Sequence, residues 1–286
     1  MIMPNKTILI TGATDGIGKQ TALELLKNGH HIILHGRTSA SAERAAEELA
    51  ALVGDKNIDT VSADFGDLAQ VKEMAIAILE KSTKLDVLIN NAGIYQNSFE
   101  LSAQGYELTF AVNHLAHFVL TLHLLPSVIS ARNGRVVNVA SMAHASHLDF
   151  NRLNNSTAFD DYSNYAQSKL CNLLFSNYLA REAAGVFTVN ALHPGVINTK
   201  LLAKGFGVQG AGLQKGAETS VFLAQAQEVE NVTGKYFVNK KVHLPAKAAT
   251  DESLQKELWS RSLEMSHDFL PNPGGYSLLK TLLITD

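Results

Sequence analysis

The sequence predicts an α/β fold: a doubly wound parallel sheet of about seven strands with helices on both faces. Three observations carry this. Short runs rich in Val, Ile and Leu alternate with longer helical patterns, as strand–crossover–strand units require. Most of those runs are continuously apolar, as expected of strands buried on both faces. The 286 residues are 46% apolar and only 18% charged, which supplies a large core and excludes disorder.

The elements follow in order. Thr7-Ile8-Leu9-Ile10 leads straight into Thr11-Gly12, giving a first strand over 7–11 and a helix over 17–28. A strand at 31–35 precedes a helix over 41–53, which Ser41 would cap with Glu43 in the first turn. Strands at 58–62 and 87–90 bracket a helix over 68–81, and a long helix across 106–125 leads to a strand at 135–140. The polar stretch 144–161 reads as a loop before a helix over 162–184. A strand at 187–192, a helix over 215–227 and a strand at 236–239 complete the pattern. Gly205, Gly207, Gly210 and Gly212 make 199–214 a variable loop, suited equally to a mobile substrate lid or to a solvated connection. No repeat or Pro-rich linker divides the chain, so residues 1–286 are expected to form one domain with a C-terminal extension over 241–286.

Composition excludes several function classes. A formal charge of −3 without a basic run argues against nucleic-acid binding. Cys171 is the only cysteine, so neither an intrachain disulfide nor a Cys-based zinc site is expected. The pairs His114/His117 and His144/His147 lack a third ligand, so no metal is expected. Too few residues precede the first strand for a signal peptide, and no run reaches the ~20 apolar residues of a membrane span. The expectation is a soluble cytoplasmic protein.

The turn Gly12-Ala13-Thr14-Asp15-Gly16-Ile17-Gly18 joins a strand to a helix. Glycines there allow a tight turn and close approach of a phosphate, and the helix N-terminus offers free N–H groups. The spacing is neither G-x-G-x-x-G nor a P-loop, yet the strand–turn–helix order is that of a dinucleotide-binding Rossmann unit. After the second strand, Gly36 stands where an NAD enzyme would carry an acid for the ribose, and Arg37 could pair with a 2′-phosphate. NADP(H) is therefore favoured over NAD(H). Asp64 and Phe65 end the third strand, where the carboxylate could meet adenine or cap the following helix.

Tyr-x-x-x-Lys places two side chains on one helix face, where an ammonium favours phenolate. The pattern occurs at Tyr165/Lys169, Tyr236/Lys240 and Tyr276/Lys280, but only the first lies on a predicted helix downstream of a strand-end serine, Ser141.

With Asn90-Asn91-Ala92-Gly93, Asn113 and Pro194-Gly195 in the same order, the chain resembles the short-chain dehydrogenase/reductase family over nearly its whole length. The stretches around Asn113, Tyr165 and His193-Pro194-Gly195-Val196 are similar to its retinol-dehydrogenase-like branch, which shares the long spacing between Ser141 and Tyr165. The resemblance implies that Tyr165 is the acid/base, that Lys169 lowers its pKa and holds the nicotinamide ribose, and that Ser141 binds the carbonyl oxygen. It implies further that Asn113 anchors a relay water, that Asn91, Ala92 and Gly93 line the adenosine side, and that Val196 and Thr199 meet the carboxamide. The expected function is NADP(H)-dependent interconversion of a small apolar aldehyde or ketone and its alcohol. A C=C reductase resembling light-dependent protochlorophyllide reductase and a non-catalytic NADP(H) sensor are the alternatives. A homodimer or homotetramer is compatible with the family. Leu201, Leu202, Phe206, Leu213, Trp259 and Phe269 suit either an apolar substrate wall or core packing.

Overall fold

In the computed structural model, which describes residues 5–54, 57–81, 84–183 and 185–271, the apolar runs assemble into a single sheet. Its strands are β1 (Thr7–Ile10), β2 (His31–Gly36), β3 (Ile58–Ser62), β4 (Val87–Asn90), β5 (Arg135–Val139), β6 (Thr188–His193), β7 (Tyr236–Val238) and β8 (Lys241–His243). They lie in the order β3-β2-β1-β4-β5-β6-β7-β8, parallel except for the last pair. Among the described residues the sheet thus has eight strands rather than seven. The extra one arises because Asn239 and Lys240 both take positive φ, 50° and 62°, and turn the chain back as a two-residue hairpin. Asn-Lys lacks the glycine that usually marks such a turn, so no local turn signal announces it.

Alternation along each strand divides the core. Ile8 and Ile10, Ile32 and Leu34, Val87 and Ile89, and Val137 and Val139 face one side. There they pack on α1 (Gly16–Lys27), α2 (Ser39–Val53) and, later in the chain, the helix Leu213–Gln225. Leu9, Ile33, Leu88 and Val136 face the other side, against α3 (Leu68–Lys81) and the helices that follow it. Both faces being covered explains why these strands read as continuous apolar runs.

The long central helix runs from Leu108 to Ser130 as α4 (Leu108–Phe110), a π turn (Ala111–Leu115) and α5 (Ala116–Ser130). It begins later than expected, where Glu107 caps Thr109 and Phe110, and it passes through Pro126. Proline forfeits one backbone bond, but burial of Ser127 and Val128 holds the last turn. This helix has 23 residues, and a window of it with mean hydropathy 1.4 is long and apolar enough by length and composition to cross a membrane, although Asn113, His114, His117 and His123 interrupt any continuous apolar run. Its apolar window is 94% buried inside the protein, so packing accounts for the hydropathy.

The remaining helices are α6 (Asp161–Glu182), α7 (Lys200–Gly205), α8 (Leu213–Gln225) and α9 (Glu252–Met265). Helix α2 is capped by Thr38, not Ser41; Ser41 completes a capping box from the third helical position, and no acid lies in the first turn. Part of the loop expected over 199–214 is helical, as α7.

Candidate active site

The strand order turns outward in both directions from the β1/β4 pair, and at the carboxyl ends of these strands lies a cleft of about 1130 Å³. That exceeds the ~300–1,000 Å³ of an ordinary small-ligand pocket. Every residue that the sequence singled out for cofactor binding lines this cleft: Gly12, Thr14, Asp15, Gly16, Ile17, Gly18, Arg37, Asp64, Phe65, Asn91, Ala92, Gly93, Tyr165, Lys169, Pro194, Gly195, Val196 and Thr199. Ser141 joins them. Asn113 stands behind Gly93, outside the lining.

The glycine-rich turn is fixed by sterics and by hydrogen bonds. Gly12 has φ +62°, and a Cβ there would stand 2.8 Å from Ala92 Cα; a Cβ on Gly18 would stand 2.3 Å from Gly12 O. Asp15 caps α1 through Gly16 N–H and forms a 2.6 Å ion pair with Lys200, whose hydrogen bond holds the Asp15 carboxyl below the usual range. The Thr11 hydroxyl accepts from Asn91 N–H (2.8 Å) and Ala92 N–H (2.9 Å), so the turn and the β4 end move as one piece. His35 accepts the Gly12 N–H at Nδ1 (3.0 Å), donates to Ala63 O at Nε2 (3.0 Å) and stacks on Phe65 at 4.4 Å. Asp64 accepts from Gly66 N–H, whereas Asp67 accepts from Ala69 N–H at the start of α3. The capping alternative for Asp64 thus falls to Asp67.

At the other end of the cleft, Ser141 follows β5 and lines the same wall as Tyr165, with Ser141 Oγ accepting Ala143 N–H at 3.0 Å. Tyr165 and Lys169 share one face of α6 and are buried. Burial pushes the Tyr165 phenol up to about 12, against the smaller lowering influence of the nearby Ser141 hydroxyl. Burial also pulls the Lys169 ammonium down to about 8. Lys169 Nζ donates to Val139 O (3.0 Å) and lies 5.7 Å from the centre of the Tyr165 ring.

Asn113 lies in the π turn, a feature frequent at functional sites. Its Oδ1 accepts Ile94 N–H (2.8 Å), and its Nδ2 donates to Ile94 O and Ser168 Oγ, both at 3.0 Å. A Cβ on Gly93 would stand 3.4 Å from both Asn113 Oδ1 and Lys169 Nζ, so this glycine is the seam between them. The rival pair separates: Tyr236 lies on β7 and Lys240 in the hairpin turn, and Tyr276 is outside the described residues.

The apolar candidates divide. Leu201, Leu202 and Phe206 line the cleft, the Phe206 ring standing 5.9 Å from that of Tyr165 and 5.6 Å from that of Tyr95. Trp259 instead stacks on Tyr178 at 4.4 Å, and Phe269 packs on the core beside α3 and α5. Leu213 opens α8 away from the lining. Sequence reasoning missed His35, Lys200 and Tyr95. His35 carried one usable signal, its place immediately before Gly36 at a strand end.

A family model for short chain dehydrogenase matches residues 6–206. Human retinol dehydrogenase 13 is 37% identical over 282 residues, spanning 92% of this chain and 85% of that protein. Human retinol dehydrogenase 14 is 37% identical, with 91% and 86% covered. A solved structure of an uncharacterized protein from Mycobacterium paratuberculosis superposes with a TM-score of 0.76 at 29% identity, covering 92% of this chain and 93% of that one. The glycine-rich turn, the sheet order and these likenesses agree, and the chain belongs to the short-chain dehydrogenase family, in its retinol-dehydrogenase-like branch.

Proposed function

We propose that the protein is an NADP(H)-dependent oxidoreductase that interconverts an apolar aldehyde or ketone and its alcohol, with Tyr165 as acid and base. The observation that carries this reading is that Ser141, Tyr165 and Lys169 line one cleft together with the glycine-rich turn, Lys169 Nζ standing 5.7 Å from the centre of the Tyr165 ring.

The cleft suits a dinucleotide. The space above Gly16 is open but for Thr199 Cγ2 at 3.7 Å, beside the N-terminus of α1, where a diphosphate would find free N–H groups. Thr14, Asp15 and Ile17 would border that diphosphate, Asp64 and Phe65 the adenine, and Val196 and Thr199 the carboxamide. At the adenosine end, Gly36 offers no carboxylate to a ribose 2′-hydroxyl and exposed Arg37 offers a planar cation to a 2′-phosphate. This is the basis for preferring NADP(H).

Carbonyl reduction needs a hydride at carbon and a proton at oxygen, and the nicotinamide, when bound, supplies the hydride. The chain supplies the rest. Ala143 N–H fills one lone pair of Ser141 Oγ, which leaves the Ser141 proton free to point at a substrate oxygen. A phenol near pKa 12 is fully protonated at neutral pH, so Tyr165 is charged with the proton it must give. In the oxidative direction Tyr165 takes the proton back, and Lys169 offers the cation that favours phenolate. Leu101, Leu202 and Phe206 form an apolar wall that suits the substrate class named by the retinol dehydrogenase relatives.

The test is oxidation of NADPH against NADH with a panel of apolar aldehydes and ketones, in the dark. We expect NADPH-dependent turnover that falls by about a hundredfold or more in Tyr165→Phe. Turnover surviving in Tyr165→Phe would overturn the mechanism, and preference for NADH would overturn the cofactor assignment.

A further inference from the structure

The turn that presents Ser141 has every following N–H assigned. Met142 N–H donates to His193 Nδ1 (3.1 Å), Ala143 N–H to Ser141 Oγ (3.0 Å), His144 N–H to Ser141 O (3.3 Å) and Ala145 N–H to Ala166 O beside Tyr165 (3.0 Å). The His144 side chain adds a connection that reaches out of the turn. Its Nδ1 lies 2.5 Å from Ser141 O, and because a carbonyl only accepts, Nδ1 carries the proton. In the neutral ring Nε2 is then an acceptor, and it takes the N–H of Ala246 at 2.9 Å. The ring also stands edge-on to Tyr236 of β7, with centroids 5.6 Å apart. One neutral tautomer therefore ties the carbonyl of Ser141 to the backbone just beyond β8, roughly a hundred residues away in sequence.

We propose that His144 is a positioning residue for Ser141, and that through it the segment following β8 forms part of the scaffold of the catalytic serine. The proposal rests on the functional reading given above. Ser141 lies on a turn rather than within a strand, so its hydroxyl is only as well placed as the turn. Without the His144 ring, Ser141 O keeps only the long bond from His144 N–H, and Ala246 N–H loses its acceptor. The hydroxyl then drifts from the position in which it meets both Tyr165 and a carbonyl oxygen, and misplacements of about 1 Å cost as much as 10²-fold in rate.

The experiment compares wild type, Ser141→Ala, Tyr165→Phe, His144→Ala and the double variant, reading kcat for the best aldehyde of the panel and NADPH binding by fluorescence. The expected result is a kcat lowered about tenfold or more in His144→Ala, with the NADPH Kd within about twofold of wild type. In the Ser141→Ala background, adding His144→Ala should lower kcat by less than about twofold, since the group it acts through is gone. His144→Asn, which keeps a donor near the Nδ1 position, should recover most of the loss, whereas His144→Gln, which reaches the Nε2 position, should not. These two variants keep the test alive if His144→Ala does not fold. A kcat within about twofold of wild type in His144→Ala, an undiminished loss on top of Ser141→Ala, or better rescue by Gln than by Asn overturns the proposal. Full activity in both Ser141→Ala and Tyr165→Phe would instead remove the functional reading itself, whatever His144 does.

Discussion

Gly36 faces Thr14 so closely that a Cβ on the glycine would stand 2.6 Å from Thr14 Cγ2, with Ser41 Oγ at 3.0 Å and Ala42 Cβ at 3.2 Å. The end of β2 and the glycine-rich turn are thus packed against each other with no room for a side chain. A carboxylate of the NAD-binding kind cannot be grafted here without pushing the turn away. Gly36→Asp should weaken NADPH and NADH together, by about tenfold or more, rather than exchange one for the other. Adding Thr14→Ala should open the space and restore NADH binding preferentially. Nucleotide fluorescence titrations of the single and double variants check this.

Arg37 is exposed where it lines the cleft beyond β2, so its removal leaves no buried charge or cavity. Its expected effect is confined to the 2′-phosphate. Arg37→Ala should raise the KM for NADPH by about tenfold to a hundredfold, the equivalent of one charge-assisted hydrogen-bond pair, and leave that for NADH unchanged. Steady-state kinetics with both nucleotides test it, and equal losses for the two would count against a phosphate contact.

The Thr11 hydroxyl is fully buried and accepts from both Asn91 N–H and Ala92 N–H. His117 fixes where its own proton goes: Nδ1 donates to Asn113 O (3.1 Å), so Nε2, 2.9 Å from Thr11 Oγ1, is an acceptor. Thr11→Val would keep the shape and orphan Ala92 N–H and His117 Nε2, while Asn91 N–H would keep only its bond to Ile89 O (3.0 Å). A loss of about 2–4 kcal/mol in unfolding free energy is expected, with Thr11→Ser close to wild type. Urea denaturation curves of the three proteins measure it.

The parts of this site that could be read from the sequence are those where the chemistry is local. Gly12, Gly16 and Gly18 announce a turn because spacing and backbone freedom act within a few residues, and Tyr165 and Lys169 pair because a helix brings every fourth residue together. What was illegible depends on partners far along the chain. Asp15 meets Lys200 only once α7 folds over the cleft, and His35 meets Gly12 only once β1 and β2 pair. Trp259 could be a substrate wall or a core residue until α9 lies against α6, where Tyr178 claims its ring. Strand β8 escaped notice because all three of its residues are exposed, which removes the apolar signal on which strand prediction rests.

Burial lowers six histidines, His30, His35, His114, His117, His123 and His193, and the three most enclosed of them make stability depend on pH on the acid side. Burial pulls His35 down to about 4, and His114 and His117 down to about 3, from an ordinary value near 6.5. The fold holds the rings neutral: protonating His35 would strip Gly12 N–H of its acceptor, and protonating His117 would leave the Thr11 hydroxyl only the longer bond to Ile89 O (3.4 Å). Between pH 6.5 and the folded-state values, the unfolded chain binds protons that the native protein refuses. Stability therefore rises with pH through this window and is lost as pH falls, by about 2 kcal/mol per ring at pH 5. Three such rings together approach the ~5–15 kcal/mol by which domains of this kind are stable. The protein should unfold cooperatively at or somewhat below pH 5, and His114→Gln should flatten the slope of unfolding free energy against pH in proportion to the lost ring. Urea titrations from pH 4.5 to 8 measure that slope. A stability independent of pH across the window would mean that the unfolded and native states bind the same protons, contrary to the buried, neutral rings described here.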